Sequence, residues 1–189
     1  MQLKYGFLLC AIFLFPIHLL NAKHVNGASD VLPTCNPIFT IGELNKSPNE
    51  FLGMDFRKVH KLELDADGIV DPTKIPRRLI HPDGANSPDS SDAVKEISIN
   101  FKILDEESGL FLRIARAGDS DTLVIIDNIN EYRVTPEMLG SDEGRIFGAY
   151  DLHLGTLNKG NHNILLTMPD DGLGSDGTYS WDAIILCKE

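Results

Sequence analysis

The chain has 189 residues, 42% of them hydrophobic and 24% charged, which is enough for one domain with a sizeable core and cramped for two. Lys and Arg number 17 against 28 Asp and Glu, a net charge of −11. So acidic a surface repels phosphate backbones and anionic lipid headgroups, which argues against nucleic acid and membrane as partners and leaves Ca²⁺, neutral or basic ligands, or plain solubility.

In chain order, Lys4 precedes an almost unbroken apolar run from Phe7 to Leu20, bent by Pro16, and Leu20-Asn-Ala22 supplies a small-residue cleavage site. This reads as a signal peptide over 1–22. The apolar run is short for a membrane span, so a retained anchor is the weaker alternative. A polar, small-residue leader follows over 23–34, and a secreted, extracellular domain over 35–189. Pro37 to Gly42 reads as the first strand, with the polar turn Asn45 to Asn49 behind it. That turn holds the single sequon Asn45-Lys-Ser47, a possible glycan acceptor in a eukaryotic host. Glu50–Phe56 and Val59–Leu64 follow as short strands.

Residues 65–92 are rich in Pro and Asp and read as a long loop, interrupted by a short strand at Arg78 to Ile80. Asp65-Ala-Asp-Gly68 with Asp71 resembles half a calcium loop, but the third acidic position and the distal Glu are missing, so a turn is expected. In the strand Val94 to Leu104, Ile97, Ile99, Phe101 and Ile103 share one face, with Lys and Asn on the other. Phe111 to Arg116, Thr122 to Ile126, Glu131 to Val134, Ile146 to Leu154, Asn161 to Met168 and Tyr179 to Leu186 complete about nine strands. Thr135-Pro-Glu-Met-Leu139 is the one helix-like turn. The expected fold is an all-β, two-sheet antiparallel sandwich with adjacent termini, forming a monomer.

Once the leader is removed, Cys35 and Cys187 remain, one ahead of the first strand and one at the end of the last. In an oxidising compartment an even pair suggests a disulfide joining the two ends of the domain, with two buried free thiols as the alternative.

Four motifs in order resemble the galactose-binding-like β-jelly-roll modules: Phe39-Thr-Ile-Gly-Glu with Glu50-Phe; Phe111-Leu-Arg-Ile-Ala with Leu123-Val-Ile-Ile-Asp-Asn; Leu157-Asn-Lys-Gly-Asn-His-Asn-Ile; and Trp181-Asp-Ala-Ile-Ile-Leu. Within that group the chain is similar to the carbohydrate-binding-like C-terminal domain of rhamnogalacturonan-lyase-type polysaccharide lyases, over roughly residues 37–188. Ile129 stands after Asn128 where the family pattern has Gly. No catalytic β-domain accompanies the motifs, so lyase activity is not expected to transfer. The resemblance implies a structural Ca²⁺ held by Glu43, Glu50 and Asp182; the alternative is that Asp182 faces solvent or caps a loop.

Sugar recognition needs an aromatic platform beside planar polar groups. Tyr179 and Trp181, next to the loop over 170–177, and Arg113, Arg116 and Asp119 at the neighbouring turn are the candidate ligand-binding residues. Alternation with Ala183 and Ile185 favours a core position for Trp181 instead. The six histidines are scattered without metal-ligand spacing, and no nucleophile or phosphate-loop motif is present, so no catalytic residues are assigned. The reading is a secreted, non-catalytic module binding a cell-wall or matrix polysaccharide. A secreted structural or adhesive protein using the same fold for protein contacts, or a stand-alone polysaccharide lyase, are the alternatives.

Overall fold

A computed structural model describes residues 34–51, 61–80, 93–118, 120–139, 147–169 and 178–189. Among them are twelve strands and two short 3₁₀ turns: β1 (Asn36–Gly42), β2 (Lys61–Asp65), β3 (Gly68–Val70), β4 (Arg78–Ile80), β5 (Ala93–Val94), β6 (Glu96–Ile103), β7 (Glu107–Gly118), β8 (Thr122–Ile126), β9 (Asn130–Val134), β10 (Gly148–Leu157), β11 (Gly160–Thr167) and β12 (Thr178–Lys188). The 3₁₀ turns are Pro72–Lys74, capped by the Asp71 carboxylate, and Glu137–Leu139, the expected helix-like turn. No helix among the described residues is long and apolar enough to cross a membrane. The predicted strand 50–56 lies outside the described residues beyond Phe51.

The chain is an all-β sandwich of two sheets. The larger runs β10-β7-β12-β1-β3, with β4 attached to β12 and β5 to β4; the smaller runs β2-β6-β11-β8-β9. Most pairs are antiparallel, as expected, but β1–β3, β2–β6 and β4–β5 are parallel, so both sheets are mixed. Parallel pairing needs a crossover between the partners. The segment between β2 and β6, which the sequence presents as a loop, provides it for β6 and contributes β3 to the other sheet.

The expected inward face of β6 is buried: Ile97, Ile99 and Ile103 are at most 1% exposed and Phe101 is 5% exposed. They meet Phe39 and Ile41 of β1, Leu110, Leu112 and Ile114 of β7, and Ile184 and Leu186 of β12 in one core between the sheets. Each buried aliphatic side chain there contributes roughly 1.5–3 kcal/mol of transfer free energy. The outer face of the larger sheet is buried too, where Phe111, Ala115, Ala183, Ile185 and Cys187 form a second apolar cluster. Burial on both faces shows in β7, which is buried without interruption from Leu110 to Arg116, the two arginines included.

The first and last described strands are neighbours, with Asn36 opposite Lys188. Cys35 and Cys187 form a disulfide, their Cα atoms 5.3 Å apart.

Candidate functional site

β12 does not keep its alternation. Against β7, Trp181 faces Arg116 and Ala183 faces Ala115, so Asp182 is an extra residue at a bulge. The bulge turns Trp181 into the main core with Ile184 and Leu186, while Ala183 and Ile185 join the outer cluster. Trp181 is therefore a core residue, but on the opposite face from the one alternation assigns.

The other candidate ligand-binding residues that are described lie along the paired strands β7 and β12. Arg113 is 3% exposed and forms a two-pronged ion pair with Asp151, Nε to Oδ1 at 2.7 Å and Nη2 to Oδ2 at 2.8 Å, with its guanidinium 5.4 Å from the centre of the Phe111 ring. Arg116 is fully buried and donates to the carbonyls of Gly118, Ser120 and Val134. Tyr179 sits on β12 with its backbone paired to Leu79 and Gly118. Asp119 and the loop 170–177 lie outside the described residues. Neither arginine nor Trp181 presents a surface to solvent, so they do not form the expected ligand platform: Arg113 pairs β7 with β10, Arg116 ties β7 to β9 of the smaller sheet, and Trp181 fills the core between the sheets.

Two of the three expected metal ligands, Asp182 and Glu50, accept hydrogen bonds from the loop after β1, where Glu43 takes part through its backbone N–H. Asp182, 2% exposed, accepts at Oδ1 from the backbone N–H groups of Asn45 at 3.2 Å and Ser47 at 3.0 Å. Glu50 accepts from the Glu43 N–H at 2.8 Å and from Asn45 Nδ2 at 3.3 Å. Lys46 adopts φ 61°, which helps aim the loop amides at one point. Gly42 precedes them at φ 75°, where an added Cβ would lie 2.5 Å from the Asp182 carbonyl oxygen and the Phe51 ring. Asp182 Oδ1 and both Glu50 oxygens are thus engaged by N–H donors of this loop. Among the described residues no group of three or more His, Cys, Asp or Glu side chains is arranged to hold a metal. Burial raises the Asp182 pKa above its ordinary value, helped by the Glu50 charge, against the lowering effect of the loop amides.

The concave feature lies elsewhere, at one end of the sandwich. A groove of about 1040 Å³ runs past the β2–β3 turn, the end of β6, the β8–β9 turn and the start of β11. Register builds its floor. Asp65 pairs with Asn100 and Asn100 with Asn163. Asp127 follows β8 and exchanges two bonds with Asn163, its N–H donating to the Asn163 carbonyl at 2.9 Å and its Oδ1 accepting the Asn163 N–H at 2.8 Å. Four planar side chains thus form a row across four strands. Asn100 Nδ2 donates to Asp65 at 3.3 Å, and Asn163 Nδ2 donates to Asn100 Oδ1 and to Ser98 Oγ, both at 2.8 Å.

Asp127 and Asn128 hold φ of 52° and 57°, and Ile129 N–H closes on the Ile126 carbonyl at 2.9 Å, the arrangement of a type I′ hairpin turn. Asp and Asn tolerate these left-handed dihedrals, so the turn forms without the family's Gly. Beside it, His162 Nδ1 lies 2.8 Å from Asp127 Oδ2 and Nε2 lies 2.7 Å from the Asn158 carbonyl. Both partners are acceptors, so both ring nitrogens are donors and the imidazolium is favoured. Burial opposes that charge, but the bonds to Asp127 and Asn158 and the Asp127 carboxylate outweigh it and raise the pKa. The ring stacks on Phe101 with centroids 5.5 Å apart.

None of these groove residues was singled out as a binding group from the sequence. Of the half calcium loop, Asp65 ends β2 and Asp67 stands in the turn that follows, with Ala66 buried between them. Polar residues at Asn100 and Asn163 on outward strand positions were the available signal, but their adjacency depends on strand pairing.

No family model matches the chain, and no curated protein matches it in sequence. Solved structures give partial likenesses. One is a family GH115 4-O-methyl-α-glucuronidase with specificity for decorated arabinogalactans (14% identity, TM-score 0.39, over 58% of this chain and 16% of that one). Another is an exo-β-1,3-galactanase from Phanerochaete chrysosporium (18%, 0.34, 48% and 20%). A third is a family two carbohydrate esterase from Cellvibrio japonicus (16%, 0.29, 49% and 27%). The chain thus spans between about a sixth and a quarter of the length of these proteins.

Proposed function

We propose that the protein is a secreted, non-catalytic carbohydrate-binding module whose ligand lies in the groove at the end of the sandwich. The observation that carries this is the row Asp65–Asn100–Asn163–Asp127. Planar amides and carboxylates fixed by one another offer hydroxyl groups a preorganised set of partners at low entropic cost. Neighbouring strands stand about 4.8 Å apart, so the row repeats on the scale of a sugar ring. The disulfide supports an oxidising, extracellular setting. Binding without catalysis is favoured because both nitrogens of His162 and both oxygens of Asp127 are engaged within the protein, which leaves neither poised for proton transfer.

The test is a glycan array followed by titration calorimetry on wild type, Asn128→Gly, which keeps the turn's positive φ, and Asn161→Ala. Both residues line the groove and are exposed. Each substitution should weaken binding about three- to tenfold, the worth of one net hydrogen bond, while melting temperature stays unchanged. Absence of any glycan ligand, or unaltered affinity in both variants, refutes the proposal. A second reading, contact with another protein, is favoured by Leu104 in the groove wall and Ile129 beside the turn, 68% and 81% exposed. Recovery of a protein partner whose affinity falls on Ile129→Ser, with no glycan bound, would support it.

A further inference from the structure

The groove's polar groups are not balanced between donors and acceptors, nor between charges. Asp127 is matched by His162 at 2.8 Å, and Glu107 in the groove wall is matched by Lys188 at 3.2 Å. Asp65 uses one oxygen on Asn100, and no described residue donates to its other oxygen, to either oxygen of Asp67, or to Asn163 Oδ1. Against these stands Lys102, exposed on β6 two residues beyond Asn100, with no ion-pair partner among the described residues. Pairing the ions off leaves Asp65 and Asp67 facing Lys102, so the groove keeps a negative excess within a chain whose net charge is −11.

Resting on the glycan-binding reading above, we infer that the groove sorts carbohydrates by charge, accepting neutral and amino-bearing chains and rejecting those that carry acid groups. A hydroxyl donates to the vacant acceptors Asn163 Oδ1 and Asp65 and accepts from the Asn128 and Asn161 amides, so an uncharged sugar satisfies both sets. An ammonium adds a charge-assisted bond to Asp65 or Asp67. A uronate or sulfate supplies acceptors where the floor already supplies acceptors, and it brings a like charge towards two carboxylates. Asp65 and Asp67 are both exposed, so this repulsion is of the kind that salt screens.

The experiment compares chains of one linkage that differ in charge: β-1,4-linked oligomers of glucose, glucosamine and glucuronate, together with array members in neutral, amino and sulfated or uronate forms. Affinities are read by calorimetry at 0.05 and 0.5 M NaCl. The acidic member of each set should bind at least about tenfold more weakly than its neutral counterpart at low salt, the difference narrowing at high salt as charge is screened. The amino member should bind at least as tightly as the neutral one. Replacing Asp67→Asn, at a groove residue outside the row, should shrink the discrimination and leave neutral binding within about threefold. An acidic chain that binds as tightly as its neutral form overturns this inference and leaves the binding reading intact. Failure of every glycan to bind overturns both.

Discussion

The disulfide offers the most quantitative test of the fold. It joins Cys35 to Cys187 across 152 residues of sequence. In the chain-entropy treatment, closing a loop of that length removes unfolded-state freedom equivalent to about 5 kcal/mol at 25 °C. The native state is held in the same place independently, because Pro37 pairs with Cys187 and Asn36 with Lys188 through the β1–β12 ladder. Opening the bond should therefore leave the fold intact and act through the denatured chain. Replacing Cys35→Ala and Cys187→Ala together, with oxidised and reduced wild type as companions, gives three forms for urea denaturation. The variant should lose about 5 kcal/mol at most, which for a protein of this size lowers the melting temperature by about 10–20 °C. Its m-value should rise as the unlinked unfolded chain exposes more surface. Since Cys187 is packed among Phe111, Ala115, Ala183 and Ile185, trimming its sulfur adds a small packing loss that reduction alone does not. Reduced wild type should therefore lie between the oxidised protein and the variant. Equal midpoints for oxidised and reduced wild type would refute the reasoning.

Three further outcomes follow from buried charges. Asp151→Ala removes the carboxylate that neutralises the buried Arg113 guanidinium and should cost about 3–5 kcal/mol, whereas replacing both partners by Met and Leu should recover most of that loss; a double variant as unstable as the single one would count against the pairing as the cause. His162 has a raised pKa, so its stabilising contribution is complete below the unfolded value near 6.5 and fades as pH rises through the higher folded value. The denaturation midpoint of wild type relative to His162→Gln should fall across that window, and a pH-independent difference would contradict it. Asp182 also has a raised pKa, so its contribution is complete below about 3.9, is lost as pH rises through the folded value, and leaves the ionised form a net cost at neutral pH. Asp182→Asn, which keeps an acceptor for the loop amides, should stay within about 1 kcal/mol of wild type, while Asp182→Ala should lose about 1–3 kcal/mol. Both should behave alike in Ca²⁺ and EDTA; a melting temperature raised by Ca²⁺ in wild type alone would make Asp182 a metal ligand.

Strand identity was legible wherever one face is buried and the other wet. Ile97, Ile99, Phe101 and Ile103 carry a period of two that nothing in the sequence contradicts, and Cys35 and Cys187 bracket the domain they close. What defeated the reading was anything set by a bulge or by pairing between distant strands. One extra residue at Asp182 inverts the alternation before it, so Trp181 exchanges faces without any change in composition. Arg113 and Arg116 read as surface groups because arginine usually is one, and only the partner strand shows that Asp151 lies opposite Arg113. The groove was hidden for the same reason: Asp65, Asn100, Asp127 and Asn163 span about a hundred positions in sequence and meet only through the order β2-β6-β11-β8.

The place of β12 has a bearing on how the molecule is made. It lies between β7 and β1 in the larger sheet, so neither of those strands has its second neighbour until residues near Lys188 have left the ribosome. Until then β1 and β7 present open hydrogen-bonding edges, and the apolar residues of both faces of β7 lack their cover. Folding must wait for a contact between distant ends of the chain, a slow step for an all-β topology. A product cut short between residues 170 and 177 should accumulate as aggregate rather than as a smaller sandwich, and chaperones that shield strand edges should bind nascent chains that end before β12.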